Sequence, residues 1–296
     1  MTPVTGGPVL TAVVGRRFTT GRTRFGDRPE NLEYARTHAA QAGVALLPGL
    51  TDGTAVNSFE DMSAGLLAAS AESRERGAAG HTGPAPVARP VDLLVLAHAA
   101  PDAVPTTLAA AAIAERIPGD PMVLGVTEQG RATPFTALRL VSGHWRRHGH
   151  RRAVVMVFDQ SFTPYANDVP DTWHVDGDAA VLLDLEAGPA GAAGSYRIHQ
   201  EHGLAPGAAP RRLRAMLAAA DPGGTGRVLA GSGIGADWVP DSRGPVLRAP
   251  AGRPATGALG LLPGLPPGDG PGPLLLADYD GELGDLSLCR IEGTGT

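Results

Sequence analysis

The sequence predicts an α/β protein, and three observations lead to that prediction. Apolar runs of strand length recur along the chain, as in DLLVLAH (92–98) and AVVMVFD (153–159). Segments with apolar residues at helical spacing lie between these runs. Such alternation of strand and helix is typical of a sheet with parallel pairing. Two regions of the chain also end on similar pairs of strands, which indicates an internal duplication.

The predicted elements follow one another in chain order. We expect strands at 8–14, 92–98, 122–126, 153–159, 178–186, 227–233, 273–280 and 285–291. We expect helices at 32–41, 58–73, 106–115, 134–147 and 210–220, and a short helix or turn at 257–265. The stretches at 77–90 and 263–273 are so rich in Gly and Pro that we expect them to be loops.

The duplication rests on two similar strand pairs. AVVMVFD (153–159) is followed by DAAVLLDLE (178–186), and PLLLADYD (273–280) is followed by DLSLCRI (285–291). The stretch AGPAGAAGSY (187–196) lies between the two parts and has the composition of a boundary. We therefore predict an N-terminal half at 1–188 and a C-terminal half at 189–296, with fewer elements in the second.

The composition excludes several classes of function. The chain has 296 residues and a net charge of −5, which argues against a nucleic-acid or membrane-surface protein. It contains no lysine, which excludes a Schiff-base lysine and the phosphate-binding lysine of a P-loop. The single cysteine, Cys289, cannot form an intrachain disulfide. We see no signal peptide and no membrane span, and we expect a cytoplasmic protein without a cofactor or a metal.

Two further patterns are weak. GSGIGADW (231–238) follows a predicted strand and matches part of the dinucleotide fingerprint, but Pro240 and Pro245 prevent the long helix which that fingerprint needs. His144 and His148 are four residues apart, and His150 and several arginines follow them. The simpler interpretation of this cluster is a cationic helix end, with a metal site or a docking patch for an acidic carrier protein as alternatives.

From about residue 55 to 186, and again near the end, the chain resembles the β-ketoacyl-acyl-carrier-protein synthase III branch of the thiolase superfamily. The stretches that carry the resemblance are DLLVLAHAAPDAVPTT, MVLGVTEQGRATPFTALRLVSG, RRAVVMVFDQS, VDGDAAVLLDLE and GPLLLADYDGELGDLSLCRIEG. The resemblance implies a five-layer αβαβα fold of two pseudo-equivalent halves. It covers about two thirds of the chain, and the C-terminal half is reduced.

The family condenses acyl thioesters with a Cys at a helix N-terminus, assisted by a His and an Asn. The resemblance puts Gly130 at the Cys position, or Gln129 if the alignment slips by one residue. It puts Ser232 near the His position and Ala255 near the Asn position. Cys289 lies in the last predicted strand and cannot substitute. We therefore expect that the condensing triad is lost.

The resemblance also implies a partner. Thiolase-fold proteins form dimers, and the loop that carries Val104 and Pro105 reaches toward the neighbour's acyl pocket in this family. We expect a non-catalytic subunit that stabilises and shapes an active ketosynthase, as a homodimer or a heterodimer, in natural-product or fatty-acid-like biosynthesis. The family pairs edge to edge close to the apolar strand 153–159. An acyl-carrier protein or a coenzyme A thioester is the other expected partner.

The alternative hypothesis is a repurposed enzyme that decarboxylates a malonyl group, transfers an acyl group, or cyclises or dehydrates a bound chain. Gln129 resembles the Gln that replaces Cys in some ketosynthase relatives. An acid or base for such chemistry is expected from Glu128, His98, Asp159 or His174. The simpler interpretation of His98 is a core residue at a strand end. His174 stands near DGD (176–178), where Asp and Gly are common in turns.

Overall fold

The computed structural model describes residues 6–50, 54–78, 89–104, 108–166, 170–189, 191–265 and 272–293. The strands are β1 (Gly7–Phe18), β2 (Thr23–Arg24), β3 (Ala45–Leu46), β4 (Ala55–Val56), β5 (Leu93–His98), β6 (Met122–Thr127), β7 (Arg152–Asp159), β8 (Tyr165–Ala166), β9 (Asp178–Gly188), β10 (Tyr196–Glu201), β11 (Arg227–Ala230), β12 (Leu247–Arg248), β13 (Leu274–Asp280) and β14 (Asp285–Ile291). The α-helices are α1 (Pro29–Ala42), α2 (Phe59–Ala78), α3 (Ala109–Glu115), α4 (Thr133–His148) and α5 (Ala209–Ala220). Short 3₁₀ helices include Gly130–Ala132 and Ala258–Gly264.

Two five-stranded sheets form the core of the protein. Their orders are β1-β9-β7-β5-β6 and β10-β14-β13-β11-β12. Counted along the chain, both orders are first, fifth, fourth, second and third strand. The directions also agree, because the fifth strand is antiparallel to both neighbours and the second strand pairs in parallel with the third and fourth. The two sheets therefore have one topology, as the similar strand endings predicted.

The layers follow from how the strand residues alternate. On β5, Leu93 and Val95 belong to one apolar cluster with α4 and the 3₁₀ helix Ala258–Gly264, whereas Leu94 belongs to another with α2 and α3. The second sheet contributes Leu276 to the cluster around α4 and packs α5 on its other face. One layer of helices therefore lies between the two sheets, and one lies on the outer face of each sheet. This confirms the predicted αβαβα architecture.

The C-terminal half is reduced, as expected. In the first half α3 connects β5 to β6 and α4 connects β6 to β7. In the described part of the second half, no α-helix connects β11 to β12. The 3₁₀ helix Ala258–Gly264 connects β12 to β13, the position that corresponds to α4 in the first half. Residues from the β11–β12 connection, Ile234 and Val239, cover the sheet instead. None of the helices in the described ranges is long and apolar enough to cross a membrane.

Strand β7 is central, as its apolar sequence predicts, and all eight of its residues are buried. Because β5 and β9 pair with its two sides, it leaves no edge open. The strand 153–159 therefore offers no edge of its own to a partner, and the expectation that a partner pairs close to it stays a prediction. The outer strands of this sheet are β1 and β6.

A buried ion pair joins β7 to β9. Arg152 Nε donates to Asp184 Oδ1 at 2.9 Å, and its Nη2 donates to Oδ2 at 2.7 Å. Both residues are almost completely buried. Desolvation of two charges offsets much of their attraction, so the pair matters mainly because neither partner can be removed alone.

We predict that Arg152→Met lowers the free energy of unfolding by about 3–5 kcal/mol, because the Asp184 carboxylate is then buried without its main partner. The double variant Arg152→Met/Asp184→Leu should be more stable than the single variant, since no charge is left unpaired. Urea denaturation of the three proteins measures both differences. A double variant that is less stable than Arg152→Met contradicts this account.

Candidate functional site

The candidate site lies where β6 passes into α4. Glu128 and Gly130 both have left-handed backbone conformations, with φ of +61° and +47°. The 3₁₀ turn Gly130–Ala132 then leads directly into α4, which begins at Thr133 rather than at the predicted Pro134. Gly130 therefore lies at the tip of the turn before this helix. Its assignment to the family's Cys position stays a prediction.

Side chains fill the space in front of Gly130. A Cβ atom added at Gly130 would overlap Asp280 Oδ2 and would lie 2.7 Å from Trp173 Nε1. Asp280 is completely buried. Its Oδ2 accepts hydrogen bonds from the Arg131 backbone N–H at 3.0 Å and from Trp173 Nε1 at 2.9 Å. A carboxylate from the second half therefore occupies the N-terminal end of α4, where the helix dipole favours a negative charge.

The other oxygen of Asp280 holds the turn that joins β13 to β14. Its Oδ1 accepts hydrogen bonds from the backbone N–H groups of Glu282 and Leu283, each at 3.0 Å. With Arg131 N and Trp173 Nε1, four donors surround this carboxylate. Charge-assisted bonds of this kind are roughly twice as strong as neutral ones, so Asp280 is fixed in place.

Arg131 is the cation of the site and is 6% exposed. Its Nη1 donates to Ser232 Oγ, and its Nη2 donates to the carbonyl oxygen of Thr172 at 2.7 Å. Its Nε is buried and has no hydrogen-bond partner in the described part of the chain. The side chain thus connects the start of α4 to Ser232, the residue that the resemblance puts near the His position.

Asp278 is a second buried carboxyl group next to Arg131. Its Oδ1 accepts hydrogen bonds from the backbone N–H groups of Gly233 at 3.0 Å and Tyr279 at 2.9 Å. Burial raises the pKa of Asp278 to about 7, although the Arg131 charge opposes this rise. A Cβ atom at Gly231 would overlap its carboxylate, so the chain passes close to Asp278 only because that residue is glycine.

Asp159 does not face this cluster as a free acid. It ends β7, is buried, and accepts hydrogen bonds from the backbone N–H groups of Ala255 and Thr256, each at 2.8 Å, and from Thr256 Oγ1 at 2.5 Å. Burial raises its pKa, and these three hydrogen bonds oppose the rise. Ala255 is itself buried in the central apolar cluster. The geometry therefore gives Asp159 a structural role, in which it holds the turn that precedes the 3₁₀ helix Ala258–Gly264.

His98 and Glu128 lie at the ends of the neighbouring strands β5 and β6. His98 Nδ1 is 2.8 Å from the carbonyl oxygen of Ala100, and its ring packs on Phe59 with centroids 4.9 Å apart. Burial lowers its pKa, and the nearby Glu128 charge opposes this. Gln129 is half-buried in the turn that follows. The structure thus brings His98 and Glu128 near each other.

The remaining predicted residues lie elsewhere. His174 is exposed, and its Nε2 is 3.4 Å from Asp176 Oδ1. Cys289 is completely buried in β14, and burial raises the pKa of its thiol to about 12. Val104 is completely buried in its own chain, in a cluster with Phe25. Its expected approach to a partner's pocket stays a prediction, and Pro105 lies outside the described residues.

The three clustered histidines at the end of α4 form a stack. Their ring centroids are 5.3–6.3 Å apart and their planes are inclined by 8–27°. Among the described residues, no group of His, Cys, Asp or Glu is arranged to hold a metal ion. The stack belongs to the cationic end of α4, where Gly149 ends the helix with a φ of +67°.

The sequence alone assigned no role to Arg131, Asp278 or Trp173. A partial signal existed for Arg131, since this arginine directly follows the turn glycine and stands two residues before α4. The contact between residues 131 and 280 spans 149 positions of sequence. No local pattern reports such a distance, so this cluster becomes visible only in the folded chain.

We predict that Gly130→Ala lowers the free energy of unfolding by more than Gly149→Ala. Both glycines have positive φ, for which a Cβ costs about 1–2 kcal/mol. Only at Gly130 does the new Cβ also overlap a buried carboxylate, whereas nothing lies within 4 Å of it at Gly149. Urea denaturation of the two variants measures the difference. Equal losses would mean that Asp280 does not occupy this space in solution.

We predict that Asp278 makes the protein less stable as pH rises. A carboxyl group whose pKa is about 7 when folded and about 4 when unfolded holds more protons in the folded chain, so the free energy of unfolding falls across this interval. Between pH 6 and 8 the fall should be about 1 kcal/mol larger in the wild type than in Asp278→Asn. The exposed Asp120→Asn variant should behave like the wild type in urea denaturation at the two pH values. A pH slope that Asp278→Asn leaves unchanged contradicts the assignment.

No protein-family model matches the chain, and no curated protein sequence matches it significantly. Solved structures do resemble it. A 3-oxoacyl-(acyl carrier protein) synthase III from Pseudomonas aeruginosa PAO1 has 13% identity and a TM-score of 0.53, with 98% of this chain and 99% of that chain covered. AbyA1, a tetronic acid condensing enzyme, has 18% identity and a TM-score of 0.57, with 97% and 100% covered. ChlB3, an acyltransferase, has 17% identity and a TM-score of 0.53, with 97% and 98% covered. The chain therefore has the thiolase-like fold of ketosynthase III structures along its whole length.

Proposed function

We propose that this protein is a ketosynthase III-like subunit without condensing activity, which pairs with an active ketosynthase and helps to shape its acyl pocket. The observation that carries this proposal is the filled space at Gly130. A nucleophile needs a side chain that projects from the start of α4 toward a bound acyl group. Here the Asp280 carboxylate occupies that space, and it also takes the Arg131 backbone N–H that would otherwise be free to stabilise an oxyanion.

The charges around the site support the same proposal. Asp278, Asp280 and Arg131 are all buried. Their hydrogen bonds go to backbone groups and side chains of this chain. A condensing site has to admit a thioester and bind its developing negative charge. Two carboxyl groups at this place oppose an oxyanion rather than stabilise it. Cys289, with its buried thiol and raised pKa, offers no alternative nucleophile.

The edge of the first sheet supports the pairing. Strand β6 (MVLGVT) is an outer strand without a charged residue or a proline, and Met122 on it is 43% exposed. Natural proteins protect open edges with charges, prolines or bulges, because an unprotected edge pairs with other strands. A partner strand beside β6 would satisfy this edge. Obligate dimers of this kind bury about 2,000 Å² or more.

The structural neighbours make condensation and acyl transfer the relevant chemistry for the partner. They include a 3-oxoacyl-(acyl carrier protein) synthase III, a tetronic acid condensing enzyme and an acyltransferase. We therefore expect the active partner to work on acyl thioesters held by a carrier protein or by coenzyme A. Natural-product biosynthesis is the setting that the second of these neighbours suggests.

We predict that Gly125→Arg abolishes the pairing without unfolding the chain. Gly125 lies on β6, is exposed, and has nothing within 4 Å of an added Cβ, so a long cationic side chain fits the single chain but blocks an incoming strand. Gly207→Arg is the matched control, because that exposed loop glycine also has free space around it. Light scattering after size-exclusion chromatography, with the chain alone and co-expressed with ketosynthases of the same genome, measures the assembly.

The expected result is a dimer for the wild type and for Gly207→Arg, and a monomer for Gly125→Arg. The partner's condensing rate should fall when this chain is left out. The chain alone should release no β-ketoacyl product from acyl and malonyl thioesters. A wild-type chain that stays monomeric both alone and when co-expressed with these ketosynthases, or condensation by the chain alone, overturns the proposal.

One observation favours the second candidate, a repurposed enzyme. His98 Nδ1 faces the Ala100 carbonyl oxygen, so the proton sits on Nδ1 and Nε2 keeps its lone pair. Its lowered pKa keeps the ring neutral near pH 7, as a general base requires. If this chemistry exists, His98→Gln abolishes turnover of an acyl or malonyl thioester by the chain alone, while the exposed His174→Gln variant retains it.

A further inference from the structure

A cavity lies between the two halves, next to the turn at 255–256 that Asp159 holds. Its volume is about 240 Å³. One wall comes from the end of β1, at Gly15–Arg17, and from the start of β9. The other comes from Pro250, Arg253 and the 3₁₀ helix Ala258–Gly264 with the residues before it. Glycines at 15, 257 and 260 line the cavity; a Cβ added at Gly260 would meet nothing within 4 Å, and one at Gly15 would press against Pro263.

The charge of this cavity is not balanced. Three arginines and no acidic residue line it in the described part of the chain, although the whole chain has five more acids than cations. Arg16 already donates to the Gly65 carbonyl oxygen and lies over the Phe18 ring. Neither Arg17 nor Arg253 forms an ion pair with a described carboxylate. The charge of Arg253 interacts with Asp159, but the Asp159 oxygens accept their hydrogen bonds from the Ala255 N–H, the Thr256 N–H and Thr256 Oγ1.

Arg253 is held in a position suited to an oxyanion. Its Nη1 donates to the carbonyl oxygens of Gly177 and Gly252. Its Nε and Nη2 have no hydrogen-bond partner among the described residues. These two donors form the side of the guanidinium that binds a carboxylate or a phosphate through two parallel hydrogen bonds. Because the Nη1 hydrogen bonds hold the guanidinium, less side-chain freedom is lost when an anion binds to it.

We propose that this cavity binds a small organic oxyanion, a carboxylate or a phosphate monoester. Arg253 holds the charged group through two hydrogen bonds, and Arg17 supplies a second positive charge. The apolar part of the ligand lies against Pro250, Leu261 and Pro263. The site is separate from the filled space at Gly130, so it does not depend on the proposed pairing or on any thioester chemistry.

Isothermal titration with phenyl phosphate and with benzoate tests the proposal, with benzyl alcohol as the uncharged analogue. We expect a dissociation constant of about 1 mM or tighter for at least one anion and no binding of the alcohol. Binding of phenyl phosphate alone identifies a phosphate site, and binding of benzoate alone identifies a carboxylate site. Failure of both anions to bind overturns the proposal.

Two matched pairs of variants locate the binding. Gly260→Leu places a side chain in the cavity, whereas Gly264→Leu places the same side chain at the end of the same 3₁₀ helix, outside the lining; neither added Cβ meets an atom within 4 Å. Arg17→Gln removes a lining charge, and Arg211→Gln removes an exposed one on α5. Gly260→Leu and Arg17→Gln should each weaken binding at least tenfold. If either weakens it no more than its control, the ligand lies elsewhere.

Discussion

The structure depends on two buried aspartates, one from each half, that each accept hydrogen bonds from the other half. Asp159 ends the fourth strand of the first sheet, and Asp280 ends the fourth strand of the second. Each accepts backbone hydrogen bonds from the turn that follows the third strand of the other half, at Ala255 and Thr256 in one case and at Arg131 in the other. The two sheets are thus joined by a reciprocal contact that their shared topology makes possible. Hydrogen-bond donors offset the cost of burying a carboxyl group, and each half supplies such donors to the other.

The two aspartates are equivalent in position but have different consequences. Asp159 holds a turn beside an apolar 3₁₀ helix. Asp280 lies at the N-terminal end of α4, the place where a helix best stabilises a negative charge. The dipole of α4 thus stabilises a carboxylate of the same chain. One side chain therefore both joins the halves and fills the space in front of Gly130.

The reduced second half bears on the same point. In the first half, helices connect the inner strands and leave regular crossovers. In the second, the chain between β11 and the 3₁₀ helix Ala258–Gly264 contains only β12 and a short 3₁₀ turn, and it approaches Asp278 through Gly231, Gly233 and Gly257. These glycines let the backbone pass close to the Asp278 carboxyl group. The same part of the chain and the 3₁₀ helix that follows it form one wall of the cavity between the halves, where Gly260 has no side chain to fill the space.

The sequence by itself determined the class of fold, the strand–helix order and the duplication. These follow from local periodicity, since buried strands such as DLLVLAH and AVVMVFD need apolar residues at every position. It also located the turn at Gly130 and indicated the reduced second half. Only the tertiary structure decided which polar residues meet. Asp159 was predicted as an acid–base candidate, and in the fold it accepts hydrogen bonds from a turn 96 positions away. The sequence alone assigned no role to Arg131 or Asp278, which the fold buries next to each other. The physical reason is that the role of a charged side chain depends on its burial and its partners, and contacts between segments far apart in the chain fix both.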